Sequence, residues 1–101
     1  MSRPEPILGL ILYGTSACHL CEDASELLRL YVDQWPTHYT IEYRDIEGDD
    51  ELLAAYATRI PVIREPASGA ELGWPFDDAK LCGWLLDCRR TARPNREMPH
   101  S

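Results

Sequence analysis

The chain is poor in several things, and each absence narrows its class. No apolar run approaches the ~20 residues that a membrane-spanning helix needs, so no membrane partner is expected. There is no internal repeat and no low-complexity segment, which sets aside solenoids and disordered arrays. Positive charge is scarce: 10 Lys and Arg stand against 17 Asp and Glu, for a formal net charge of −7 at pH 7. Four of those basic residues, Arg89, Arg90, Arg93 and Arg96, fall after residue 88, where Glu97 is the one acid. The first 88 residues therefore carry 6 basic and 16 acidic side chains. Such a surface repels phosphate backbones and argues against a nucleic-acid partner.

Cysteine is limited to 4 residues. In a short secreted chain that number would suggest two structural disulfides. Here Cys18 and Cys21 form a close Cys-x-x-Cys, while Cys82 and Cys88 share a later helical pattern. That distribution fits a reducing compartment. Arg3, the apolar residues 7–13 and Thr15-Ser16-Ala17-Cys18 bear a loose likeness to a lipoprotein leader. Against it, Pro4, Glu5 and Pro6 interrupt the front, the apolar run is at the short limit, and Thr15 stands where Leu is expected. The expectation is a cytoplasmic chain without leader or lipid anchor.

What is present suffices for one compact domain: 101 residues, of which 45% are hydrophobic and 27% charged. We assign the domain to residues 1–90, with a loose proline-bearing lead-in at 1–6 and a mobile polar tail at 91–101. Residues 7–13 read as a strand buried on both faces, with Gly9 marking a close backbone approach. Residues 18–33 follow as a helix that Thr15 or Ser16 can cap, burying Leu20, Ala24, Leu27, Leu28 and Tyr31. It should stop before Trp35-Pro36. Residues 39–46 alternate, which predicts a strand with Tyr39, Ile41 and Tyr43 on its buried face.

An acidic run follows. Asp49, Asp50 and Glu51 suit the start of a second helix, over 52–58, that turns Leu52, Leu53 and Tyr56 inward. A metal site is the alternative reading of that run, though a calcium loop would need another spacing. Residues 60–65 form a third strand beginning at Pro61, and the turn residues 66–69 lead into a fourth at 70–73. Residues 77–90 close the domain as a helix capped by Asp77, with Leu81, Cys82, Leu85 and Leu86 inward and Arg89 and Arg90 at its C-terminus. Cys82 and Cys88 read as small packed apolar residues. The order is β-α-β-α-β-β-α, an α/β class, with the first two strands parallel and the last two antiparallel.

The chemistry concentrates at residues 10–21. An apolar strand stops at Gly14, small polar residues follow, and two thiols arrive at a helix start. The first helical turn offers unpaired N–H groups and a positive dipole end, which favour a thiolate. Cys18 is the candidate nucleophile. Cys21, one turn inside, is the candidate resolving thiol, and Glu22 and Asp23 reinforce the asymmetry by disfavouring charge there. An inert core pair is the plain alternative. A zinc knuckle would need two more ligands, and Cys82 with Cys88 has the wrong spacing to supply them, so no metal is expected. His19, between the thiols, either modulates the thiolate as a cation or is merely exposed.

The wording Leu12-Tyr13-x-x-x-x-Cys18-His19-Leu20-Cys21-Glu22-x-Ala24 resembles the active-site region of glutaredoxins, and most of all that of short bacterial glutaredoxin-like proteins. The resemblance spans residues 7–88 and implies the thioredoxin-like fold, a four-stranded mixed sheet with helices on both faces. It implies a thiol–disulfide oxidoreductase, without a bound cofactor, that works through Cys18 and Cys21. A thioredoxin-fold binding or adaptor module is the rival. The partner would be a disulfide-containing protein or glutathione as co-substrate, and the chain is expected to be a monomer.

Ile60-Pro61-Val62 matches the cis-proline that faces the thiols in that fold and leaves the preceding residue's backbone to pair with substrate. Glutaredoxins also hold glutathione with a Lys three residues before the first Cys, where Thr15 stands, and a Thr two before the cis-Pro, where Arg59 stands. The resemblance makes Asp77 and Asp78 the grip on glutathione's amino end, with helix capping as the plainer role of Asp77. Trp74 and Phe76 beside them are either core or an exposed apolar rim.

Overall fold

The computed structural model describes residues 7–92, so the expected lead-in at 1–6 and nearly all of the expected tail lie outside the described residues. The elements are β1 (Leu8–Gly14), α1 (His19–Gln34), β2 (Tyr39–Asp45), α2 (Asp50–Tyr56), β3 (Val62–Glu65), β4 (Ala70–Gly73) and α3 (Asp78–Ala92). The strands make one sheet in the order β2-β1-β3-β4. β1 runs parallel to β2 and antiparallel to β3, and β3 is antiparallel to β4. The order and the mixed sheet are those expected. Among the described residues no helix is long and apolar enough to cross a membrane.

Two cores lie on opposite faces of the sheet. One joins Leu8, Leu10, Leu12 and Ile63 to Ala24 and Leu28 of α1 and Leu81, Leu85 and Cys88 of α3. The other joins Tyr13 and Val62 to Ile46 and Tyr56, where the Tyr13 and Tyr56 rings stack at 4.3 Å. Helices thus cover both faces, α1 and α3 on one and α2 on the other. The alternation along β1 feeds both cores.

Local chemistry sets the element ends. Asp49 caps α2 through Glu51 N and Leu52 N. Asp77 Oδ1 accepts from Lys80 N at 2.8 Å and caps α3. The hairpin turn uses Gly69 at φ +79°, in the left-handed region that glycine favours. Glu65, a carboxylate only 2% exposed, accepts from Ala67 N, Ser68 N and Ser68 Oγ, so its burial is compensated.

Several expectations need correction. α3 runs on through residues 91–92, past the expected start of the tail. Leu20 and Leu86 are 47% and 54% exposed; Cys21 and Cys88 take the inward positions instead, because the buried stripes run 21, 24, 28 and 81, 85, 88 at helical spacing. Cys82 is only half-buried. Tyr43 is exposed, because β2 is the edge strand of the sheet. Gly9 has ordinary room; the close approach is at Gly14, where a Cβ would sit 2.7 Å from Cys21 Sγ and 2.8 Å from Tyr43 Oη.

Candidate active site

β1 ends at Gly14 and the chain turns through Thr15, Ser16 and Ala17 into Cys18. Cys18 N donates to Thr15 O at 3.3 Å and closes that turn. Neither Thr15 nor Ser16 caps the helix. Cys18 itself is the N-cap of α1, extended at φ −102°, and its sulfur accepts from Cys21 N at 3.0 Å. The two sulfurs are bonded, with Cα atoms 5.2 Å apart. Cys18 is half-buried, whereas Cys21 is fully enclosed. The geometry is asymmetric: a half-buried cysteine whose sulfur accepts a first-turn N–H, and a fully buried one a turn deeper.

Tyr43 is a site residue that the alternation of β2 misassigned. Its hydroxyl donates to Thr15 O at 3.1 Å and so pins the loop before Cys18. Burial, then the Asp45 and Glu22 carboxylates, raises the pKa of that hydroxyl, keeping it a donor. The parallel register that sets Leu12 beside Tyr43 places this ring near the end of β1, and no local pattern in the sequence marked that register. Thr15, Glu22, Glu26 and Tyr43 line an open groove of about 510 Å³ beside the loop. His19 is exposed in the first turn of α1.

Pro61 lies just before β3, on the side of β1 away from β2. The Tyr13–Val62 pair is the last of the β1–β3 ladder, so Pro61 is next in line beyond it, toward Gly14. The Ile60–Pro61 bond is cis, as the motif suggested, and Trp74–Pro75 is a second cis bond that the sequence did not reveal. Trp74 N donates to Pro61 O at 3.0 Å and lays the β4–α3 connection against it. The N–H of Ile60 is engaged by Tyr56 O at 3.1 Å.

The remaining candidates have local partners. Arg59 pairs with Glu71 and lies over the Tyr56 ring at 5.1 Å, on the α2 face. Asp77 caps α3, and Asp78 Oδ1 accepts from the Tyr31 hydroxyl at 2.7 Å. Phe76 is in the core and Trp74, half-buried, meets it edge-on at 5.0 Å, which settles both as packing residues. Among the described residues no group of three or more His, Cys, Asp or Glu side chains could hold a metal ion.

The family model of the glutaredoxin-like domain (DUF836) matches residues 9–86, from the start of the sheet through most of α3. The chain belongs to the glutaredoxin-like domain family. Solved structures agree. The X-ray structure of the structural genomics target XcR50 from X. campestris is 38% identical, with 77% of this chain and 96% of that one covered and a TM-score of 0.64. Ne2328 from Nitrosomonas europaea is 28% identical over 84% of this chain and 99% of that one, with a TM-score of 0.69. A thioredoxin from Trypanosoma brucei brucei, 19% identical over 86% of this chain and 79% of that one with a TM-score of 0.59, supports the thioredoxin-like fold alone. No curated protein matches. In this glutaredoxin-like chain, the Cys18–Cys21 pair at disulfide distance fits a redox role.

Proposed function

We propose that the protein is a dithiol thiol–disulfide oxidoreductase. The observation that carries this reading is the Cys18 sulfur at the N-cap of α1, accepting a backbone N–H and bonded to a fully buried partner. In the reduced state the same N–H and the helix dipole favour the Cys18 thiolate. That thiolate attacks one sulfur of a substrate disulfide. The other substrate sulfur leaves as a thiolate and takes a proton. Cys21, deprotonated, then attacks Cys18 Sγ, forms the intramolecular bridge and releases the second substrate thiol. Two electrons pass from the dithiol to the substrate. An external thiol, of glutathione or of a protein, returns the bridge to the dithiol.

Gly14 supports the reading, since only a residue without Cβ leaves space for Cys21 Sγ at this turn. On this reading the chain works as a monomer in the cytoplasm on protein or glutathione disulfides. Extended substrate would pair at the Ile60 carbonyl beside Pro61, the role that Ile60 and Pro61 have in the thioredoxin fold.

Cys18→Ser abolishes disulfide reduction, because no other thiol occupies the helix start. Cys21→Ser retains the attack but cannot resolve it, so mixed disulfides through Cys18 accumulate and are detected by mass spectrometry. An unchanged rate in Cys18→Ser overturns the assignment.

A further inference from the structure

The turn before Cys18 rests on the Thr15 carbonyl, and two donors share that oxygen. One is Cys18 N, at 3.3 Å. The other is the Tyr43 hydroxyl, at 3.1 Å and 28 residues away in the sequence. A carbonyl oxygen has two lone pairs, and here both are used. The preceding carbonyl is held from the same end of β2, since Ile46 N donates to Gly14 O at 3.0 Å. Two consecutive carbonyls of the loop are therefore tied to β2 and the residue after it.

Tyr43 is 46% exposed, yet its hydroxyl reaches a covered place. A Cβ built on the buried Gly14 would lie 2.8 Å from Tyr43 Oη and 2.7 Å from Cys21 Sγ. The hydroxyl oxygen and the enclosed sulfur thus border the same small space. Burial is the first cause of the raised pKa of this hydroxyl, so it stays protonated and donating through neutral pH.

Without that donor, the Thr15 carbonyl keeps only the 3.3 Å bond from Cys18 N and is free to turn toward water. The consequence falls on Cys18. Its extended backbone, at φ −102° and ψ 110°, aims the sulfur at Cys21 N, 3.0 Å away. That N–H and the helix dipole are what favour a thiolate over a thiol at this position. A turn that relaxes at Thr15 carries the sulfur off that N–H.

We propose that Tyr43 is a positioning residue for the dithiol: through Thr15 O its hydroxyl holds Cys18 at the helix N-cap and keeps the reduced sulfur on the first-turn N–H. The proposal rests on the reading of Cys18 as the nucleophile. Tyr43 acts through the backbone and touches no substrate. Its effect is to stabilise the reduced, thiolate form, which makes the Cys18–Cys21 bridge more oxidising.

The test is Tyr43→Phe, which keeps the ring and removes the donor. The reduced protein is alkylated with iodoacetamide across a pH series, and the Cys18 peptide is followed by mass spectrometry. The reduction potential of the bridge is measured in glutathione redox buffers, and stability by the urea midpoint. In Tyr43→Phe the midpoint of the alkylation profile is expected to rise by about half a pH unit, and the rate below it to fall about twofold, because the thiolate fraction drops faster than nucleophilicity grows. The potential becomes more negative. Ile41→Val is the control. Ile41 lies on the same strand, half-buried against the core, so its truncation lowers the urea midpoint by lost packing and leaves profile and potential at wild-type values. A Tyr43→Phe profile and potential equal to wild type overturn the proposal. So does an equal shift in Ile41→Val, which would assign the effect to stability alone. None of these readouts needs a substrate. A wild-type protein that reduces neither a protein disulfide nor a glutathione mixed disulfide would overturn the oxidoreductase reading instead, and these values would stand apart from it.

Discussion

Gly14 carries more of the site than any polar residue except the thiols. It lies at the end of β1, fully covered, where the chain leaves the sheet for the Cys18 turn. A methyl group there would stand 2.7 Å from Cys21 Sγ and 3.0 Å from Cys21 Cβ. Those atoms sit on a capped helix start and cannot retreat cheaply. Gly14→Ala is therefore expected to destabilise the fold by about 1–3 kcal/mol, the usual range for overpacking. It is also expected to slow closure of the Cys18–Cys21 bridge, because Cys21 must shift to make room. Denaturant unfolding of the reduced protein checks the first effect, and thiol titration during reoxidation checks the second. Wild-type values for both would show that the turn yields without cost. Cys88 differs from the site thiols: burial raises its pKa to about 11, so it stays an uncharged packing residue through neutral pH.

At the scale of elements, Glu71 ties three pieces of chain together. From β4 it accepts the Tyr56 hydroxyl of α2 at 2.6 Å, and it pairs with Arg59 of the α2–β3 loop and Arg64 of β3. The Tyr56 hydroxyl first, then Arg59, holds the Glu71 carboxyl below its ordinary 4.5. A carboxylate with a lowered folded pKa stabilises the fold above about pH 4.5, and that contribution is lost as pH falls through the folded value. Glu71→Gln is thus expected to be less stable than wild type at pH 7, with the gap narrowing toward pH 3. Urea midpoints at the two pH values measure it, and a gap independent of pH would refute the assignment. None of this hub was legible in the sequence, since it joins residues 7–15 positions apart whose pairing depends on the sheet. What was legible was local. Hydrophobic periodicity, with proline and turn residues for β3 and β4, placed every element to within two residues, and the acids capping α2 and α3 stood where dipole and capping rules put them. The motif around Cys18 located the helix start, but the cap was the cysteine itself rather than Thr15 or Ser16. Periodicity failed where burial depends on neighbours: Tyr43 on the edge strand, and Leu20 and Leu86 one step off the stripes facing the sheet.

At the scale of the whole molecule, the proposed oxidoreductase function makes charge the expected selector among disulfide substrates. The formal charge is −7, and Glu22 and Glu26 line the groove beside the Cys18 loop. Glutaredoxins place a lysine where Thr15 stands. Arg59, the cation two residues before the cis-proline, is drawn to Glu71 and the Tyr56 ring instead. Asp77 and Asp78, which would grip glutathione's amino end, are engaged by Lys80 N and the Tyr31 hydroxyl. Glutathione carries one more carboxylate than ammonium group, so it approaches a site of its own sign. Each missing charge-assisted hydrogen bond costs about 1.5–3 kcal/mol, enough for a tenfold loss or more. Poor turnover on glutathione mixed disulfides is therefore expected, beside better turnover on a protein disulfide without that excess charge. The repulsive part has a signature of its own. It is screened over a Debye length of about 10 Å at 0.1 M salt, so the glutathione rate should rise with ionic strength while the protein rate need not. Thr15→Lys should raise the glutathione rate severalfold and flatten that salt dependence, since the new ammonium sits among Glu22 and Glu26. Steady-state rates on both substrates across a salt series measure all of this. Wild-type turnover equal to that of an ordinary glutaredoxin, with no response to salt, would show that other groups replace the lysine and that charge does not select the substrate.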